Sequence, residues 1–124
     1  MVKTEIASGV VLSLEMTSTT LVAGSSYEAS VTIANEGLAA MEISDWGPGI
    51  WITDSTGRIV LQPRRIRHPI SLVPLEPGQK RHETETFTVP APGAYSIQAS
   101  WQISVEPPVG DAKTSPLEFT SVEP

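Results

Sequence analysis

The stretch Tyr95-Ser96-Ile97-Gln98-Ala99-Ser100-Trp101-Gln102-Ile103 alternates apolar or small side chains with polar ones without a break. Successive side chains of an extended strand point to opposite faces, so all the odd-numbered residues of this run share one face. An amphipathic helix requires apolar spacings of three and four residues, which the run lacks. The stretch therefore predicts a long strand that covers a core with one face only.

The same alternation recurs along the chain, in residues 10–16, 27–33, 41–44 and 50–53, and Leu117 and Phe119 continue it after the long strand. Turn sequences rich in glycine and proline separate these runs, and eleven prolines disfavour helices. Short alternating strands at this spacing predict an all-β fold, an immunoglobulin-like antiparallel two-sheet sandwich of seven to eight strands. We expect a single domain over residues 1–124, with irregular stretches at about 62–80 and 104–115.

Two aromatic residues of the long strand have specific predictions. Trp101 lies on its apolar face and is expected in the core. Tyr95 follows Pro92-Gly93-Ala94 at the start of a late strand, the position of a tyrosine corner, in which the hydroxyl bonds to nearby backbone. An ordinary core-facing tyrosine is the alternative.

Composition limits the classes of protein to which the chain can belong. Of its 124 residues 40% are hydrophobic and 18% are charged, values that suit a soluble globular fold. No apolar run approaches the length of about eighteen residues that a membrane helix needs, and the N-terminus lacks the pattern of a secretory signal. The missing signal pattern favours the cytoplasm, although an excised extracellular domain with an added methionine would look the same. Without cysteine the chain has no disulfide and no thiolate chemistry.

Charge separates the middle of the chain from its flanks. The net charge of −6 argues against nucleic acid as a partner. Six of the eight basic residues nevertheless lie between positions 58 and 81, where Glu76 is the only acid. A solvated loop with ordinary arginines explains this distribution, and so does a contact surface for an acidic partner.

Catalytic and metal-binding motifs are not evident. The two histidines, His68 and His82, stand among basic residues, and no nucleophile-elbow sequence accompanies them. On a strand, His82 would point away from its neighbours Glu83 and Glu85, so the three would not converge on a metal. We expect no catalytic residue, no metal and no cofactor.

Two groups of residues are candidates for binding a partner. The first is the proline-bounded loop of residues 63–69, in which Arg64, Arg65, Ile66, Arg67 and His68 are the predicted contact residues. The second is an alternative face formed by Trp46 and Trp51, since exposed tryptophans often mark a binding surface. Ordinary packing of these tryptophans against the other sheet is the alternative to an exposed pair.

From about residue 27 to residue 101 the chain resembles the BsuPI-like intracellular proteinase-inhibitor family. The matching pieces are residues 31–37 (VTIANEG), 50–54 (IWITD) before Gly57-Arg58, 75–79 (LEPGQ) and 92–99 (PGAYSIQA). The chain departs from the pattern at residues 59–62, which are aliphatic where the family leads us to expect aromatic residues, and at the basic residues that follow. The resemblance implies an immunoglobulin-like fold and inhibition of a serine proteinase, but it identifies no inhibitory residue.

The sequence thus predicts a non-enzymatic protein-binding domain, with inhibition of an intracellular serine proteinase as the named activity. A structural or adhesive immunoglobulin-like module of a bacterial surface protein or assembly is the first alternative. A carbohydrate-binding accessory domain is the second, and it would require Trp46 and Trp51 to be exposed.

Overall fold

The computed structural model describes residues 2–6, 9–63, 71–104 and 110–124, and within them the chain is all-β. Alternation and prolines dictate this outcome, because no described segment offers one helical face of apolar residues. No helix in these ranges is long and apolar enough to cross a bilayer. The described residues form twelve strands: β1 (Val2–Ile6), β2 (Val10–Met16), β3 (Thr20–Val22), β4 (Ser26–Asn35), β5 (Met41–Ser44), β6 (Gly49–Asp54), β7 (Ile59–Leu61), β8 (Leu72–Leu75), β9 (Lys80–Thr88), β10 (Gly93–Ser104), β11 (Gly110–Lys113) and β12 (Leu117–Val122).

The first sheet has the strand order β1-β2-β4-β9, and all its pairs are antiparallel. The second sheet is built around β10, the long strand predicted from the sequence. One edge of β10 pairs with β12 and then with β11, while the opposite edge pairs with β6 and then with β5. Outside these, β7 pairs with β6, β8 pairs with β5, and β3 adds to β12 as a parallel strand.

The predicted fold class, an immunoglobulin-like two-sheet sandwich, is confirmed. The described chain is divided into more strands than the seven to eight expected, because β10 is long enough for each of its edges to carry two shorter strands in succession. The turn containing Gly47 and Pro48 separates β5 from β6 on one of these edges. The stretches expected to be irregular also contain short strands, β8 and β11.

The core lies between the sheets and consists of the side chains that alternation assigned to it. Leu12, Leu14, Val31 and Ile33 of the first sheet are fully buried, as is Trp101 of the second, which is 1% exposed. The predicted burial of Trp101 is therefore confirmed. Its indole nitrogen donates to the carbonyl oxygen of Ser44 at 3.0 Å, so burial leaves the N–H bonded, as the energetics of buried polar groups require.

Tyr95 forms the tyrosine corner. Its hydroxyl donates to the carbonyl oxygen of Ala91, four residues upstream, at 2.8 Å. The ring is buried and stacks on Phe119 with 5.4 Å between the ring centroids. The bond fixes the entry of the chain into β10 and supplies the hydrogen-bond partner that a buried phenol needs.

Asn35 has a structural role that its place in a turn sequence did not reveal. The side chain is 1% exposed, and its amide nitrogen donates to the carbonyl oxygens of Ala39 and Leu75, each at 2.9 Å. Its amide oxygen accepts from the backbone nitrogen of Gly37 at 3.0 Å. Asn35 thus joins the end of β4 to the turn that follows it and to the end of β8.

Candidate functional site

The turn of residues 45–49, between β5 and β6, is held firmly although it lies at the surface. Gly47 adopts a φ of 82°, a left-handed conformation that suits glycine. Arg81 of β9 fixes the turn by donating to the carbonyl oxygen of Asp45 at 2.8 Å and to its carboxylate at 3.1 Å. Trp46, 37% exposed, is carried by this turn. One exposed aromatic side chain therefore stands on a braced piece of backbone.

The basic segment, residues 64–70, is flanked by two described residues, Pro63 and Ser71, and both contact this same turn. Before the segment, Pro63 packs closely on Gly49. A Cβ added to Gly49 would lie 2.8 Å from Cβ of Pro63, so any residue other than glycine at position 49 would clash with the proline ring. After it, the carbonyl oxygen of Ser71 accepts from the backbone nitrogen of Asp45 at 2.9 Å. The predicted contact residues 64–68 themselves lie outside the described residues, so their placement remains a prediction.

Trp51 lies on the outer face of the second sheet, opposite to the face that bears Trp101. Its indole nitrogen donates to the hydroxyl of Ser100 at 3.0 Å, and the ammonium of Lys113 lies 3.8 Å from the ring centroid. This cation–π contact covers one face of a half-buried ring. Trp46 therefore lies on a turn, whereas Trp51 lies on the outer face of a strand and contacts Ser100 and Lys113.

A charged cluster on β9 was missed by sequence reasoning. Arg81, Glu83 and Glu85 alternate with exposed residues and share the core-facing side of the strand with Phe87. Arg81 contacts the carboxylate of Glu83 at 3.2 Å, and its guanidinium carbon lies 5.7 Å from the ring centroid of Trp101. Alternation could have revealed this cluster. Phe87, the apolar residue near the end of β9, is expected to face the core, and residues two, four and six positions before it must then face the same way.

The electrostatics of the cluster follow from its partial burial. Removal from water, and secondarily the nearby charge of Glu83, raise the pKa of the Glu85 carboxyl above its usual value. Charged side chains that point inward from an edge strand discourage the pairing of another strand. The cluster thus protects this edge of the first sheet and, through Arg81, braces the turn that carries Trp46.

No described arrangement corresponds to a catalytic or metal centre. The Nδ1 atom of His82 lies 2.9 Å from the hydroxyl of Thr32 on the outer face of the first sheet, on the opposite side of β9 from Glu83 and Glu85. Within the described ranges no group of three or more potential ligands is placed to hold a metal ion. His68 lies outside these ranges.

Comparison with known proteins identifies the fold and not a family. No protein-family model matches the sequence, and no curated protein matches it. Among solved structures, a CARDB domain from Pyrococcus furiosus, in complex with di-metal ions, superposes with a TM-score of 0.59 at 14% identity, covering 91% of this chain and 87% of that one. A Bordetella pertussis protein described as ApaA gives a TM-score of 0.57 at 14% identity, with 90% and 91% coverage.

A β-glucosidase from Erythrobacter marinus is similar in one part only. The TM-score is 0.58 at 17% identity, and the match covers 91% of this chain and 15% of that enzyme. At such low identity these similarities show a β-sandwich fold and carry over no activity, substrate or metal.

Proposed function

We propose that the chain is a non-enzymatic protein-binding module that inhibits an intracellular serine proteinase through residues 64–68. One observation supports this proposal above the others: Pro63 and Ser71, which flank the basic segment, are both attached to the turn of residues 45–49. A loop whose two ends meet on one braced turn loses less conformational freedom on docking than a freely tethered loop does.

The charge of the segment defines the kind of proteinase that it suits. Arg64, Arg65 and Arg67 stand in a chain whose net charge is −6. Serine proteinases with a carboxylate at the base of the specificity pocket accept arginine, whereas those with an apolar or a small pocket do not. An arginine of this segment would enter such a pocket, and the local positive charge would steer the acidic cleft towards it.

The test is a set of inhibition assays with three serine proteinases that differ in this pocket: trypsin, chymotrypsin and elastase. We expect the chain to inhibit cleavage of a chromogenic peptide by trypsin and to leave the other two enzymes unaffected. Electrophoresis of the incubated mixture should show an intact chain, because an inhibitor stays docked whereas a substrate is cut.

A variant in which residues 64–67 are replaced by Gly-Ser repeats should fold normally and lose inhibition. The matched control is Arg58→Ser, which removes an arginine from a turn outside the segment and should inhibit like the parent. Equal inhibition by the Gly-Ser variant would refute a role for the segment, and the surface around Trp46 and Trp51 would become the next candidate. Rapid cleavage within the segment without inhibition would refute the activity itself.

A structural or adhesive module is the second candidate function. It is supported by the similarity to a sandwich that forms only 15% of a longer enzyme, the kind of context in which such domains act as accessory units. Pulling down partners from the source cell's lysate separates the two candidates, since an inhibitor should retain a serine proteinase. The carbohydrate-binding alternative is less well supported, because a sugar stacking on Trp51 from the side of Lys113 would have to displace that side chain.

A further inference from the structure

The strand β3 lies at one edge of the second sheet, where its only strand partner among the described residues is β12. The two strands are parallel, and the carbonyl oxygen of Thr19 and the backbone nitrogen of Ala23 both bond to β12. Alternate residues of a strand direct their backbone groups to the same side. The N–H and C=O groups of Thr20 and Val22 therefore point away from β12, towards the open edge.

Other groups of the same chain occupy all four of these outward backbone groups. The hydroxyl of Ser18 accepts from the nitrogen of Thr20 at 3.2 Å and donates to the carbonyl oxygen of Thr20 at 2.9 Å. The nitrogen of Val22 donates to the hydroxyl of Tyr27 at 2.9 Å. The carbonyl oxygen of Val22 accepts from the nitrogen of Ser25 at 3.2 Å. The outer side of β3 thus offers no free backbone group to another strand.

Tyr27 supplies a hydroxyl that is fixed in position. Its ring is half-buried and packs against the core, which restricts rotation of the side chain. Tyr27 belongs to β4 of the first sheet, whereas Val22 belongs to β3 of the second. The bond between them therefore joins the two sheets, and the packing of the sandwich holds the hydroxyl over the edge.

The sequence around β3 lacks the features that usually discourage strand addition. Edge strands are commonly protected by charged side chains or by prolines. Residues 16–27 (MTSTTLVAGSSY) contain no charged residue and no proline. The strand β9, at an edge of the first sheet, instead presents Arg81, Glu83 and Glu85 on its core-facing side. At the β3 edge, hydroxyl groups take the place of such charges.

Without these hydroxyls, β3 would suit β3 of a second copy. In an antiparallel pair centred on Leu21, Thr20 of one copy would lie opposite Val22 of the other, and a hydrogen-bonded pair of this kind exchanges both backbone bonds. All four outward groups of each copy would then be bonded across the interface. No like charges would lie directly opposite each other, because residues 16–27 carry none.

We propose that the hydroxyls of Ser18 and Tyr27 form an autoinhibitory cap, which prevents β3 from pairing with β3 of a second copy and keeps the chain monomeric. The cap is separate from residues 64–68 and goes beyond proteinase inhibition. The contact that it blocks uses the same surface on both copies, so pairing would stop at a dimer. A ladder of only three residues makes this dimer weak.

Removal of the two hydroxyls tests the cap. The variant Ser18→Ala with Tyr27→Phe keeps the ring that packs against the core, and its far-UV circular dichroism should match that of the parent. Amide NMR signals of isotope-labelled protein, recorded over a concentration series, detect weak association. The signals of Thr20 and Val22 should shift with concentration in the variant and stay constant in the parent. The same behaviour in both proteins would overturn the proposal.

A matched control separates the loss of the cap from a loss of stability. Tyr95→Phe with Ser13→Ala also removes one tyrosine and one serine hydroxyl, and it breaks the bond from Tyr95 to Ala91. Its amide signals should not change with concentration. Concentration-dependent shifts in this control would attribute association to general destabilisation and would overturn the role of the cap.

An added charge locates the contact. In the uncapped variant, Val22→Lys places a lysine of each copy at the pairing edge and should weaken association by roughly tenfold or more. Val122→Lys adds the same charge to the neighbouring strand β12, where Val122 is 39% exposed, and should leave association unchanged. Equal effects of the two substitutions would overturn the assignment to β3.

The size of the assembly tests its symmetry. In sedimentation velocity at high protein concentration, the parent should remain a monomer and the uncapped variant should approach the mass of a dimer. A dimeric parent, or assemblies of the variant larger than a dimer, would overturn the proposal.

Discussion

Replacement of Trp101 by alanine tests the packing of the sandwich at its largest fully buried side chain. Removal of a buried tryptophan side chain typically costs about 3–5 kcal/mol in the free energy of unfolding. The substitution also leaves the carbonyl oxygen of Ser44 without its 3.0 Å bond, a loss of about 1–3 kcal/mol on its own. Because such contributions overlap, we expect a total of about 4–5 kcal/mol, near the upper end of the tryptophan range.

Urea unfolding followed by far-UV circular dichroism measures this loss, and a conservative variant keeps the test usable if alanine prevents folding. Trp101→Phe retains an aromatic ring but cannot donate to Ser44, and we expect it to cost about 1–3 kcal/mol. Trp51→Ala is the matched control on the outer face, where the ring is half-buried, and it should cost less than about 2 kcal/mol. A loss below about 1 kcal/mol for Trp101→Ala would refute the assignment of faces in the second sheet. A loss for Trp51→Ala that exceeds the loss for Trp101→Ala would refute it as well.

Three further substitutions test single interactions. Tyr95→Phe removes the bond to Ala91 and should cost about 0.5–1.5 kcal/mol in urea unfolding, and unchanged stability would mean that the corner contributes nothing. Asn35→Ala leaves three backbone groups without their partner and should cost about 2–4 kcal/mol, whereas a neutral effect would contradict its bridging role. Burial raises the pKa of the Glu85 carboxyl, so the folded state favours the protonated form. This contribution to stability is fully present at acid pH and is lost as pH rises through that pKa, because the half-buried carboxyl then ionises. Glu85→Gln should therefore raise the melting temperature at neutral pH and not at acid pH, and a gain independent of pH would rule out this cause.

Parts of the candidate site were visible in the sequence. The basic run, its bounding prolines and the two candidate tryptophans could be listed without a structure, because they are properties of consecutive or nearby residues. Their positions relative to one another in space could not be predicted from the sequence. Pro63 meets Gly49, and Ser71 meets Asp45, only because β5 and β6 follow one another along the same edge of β10. The brace from Arg81 depends on a contact across 36 residues, which no local pattern encodes.

The sequence by itself determined the all-β fold, the core face of β10 and the burial of Trp101, whereas at Tyr95 it left a tyrosine corner and an ordinary core tyrosine open. These features follow from the alternation of side chains along a strand and from turn residues, both of which are local. Tertiary structure alone decided the bridging role of Asn35, the brace from Arg81 to the turn at Asp45 and the covering of Trp51 by Lys113. Each depends on which strands become neighbours, and the energy of packing the whole core selects those neighbours.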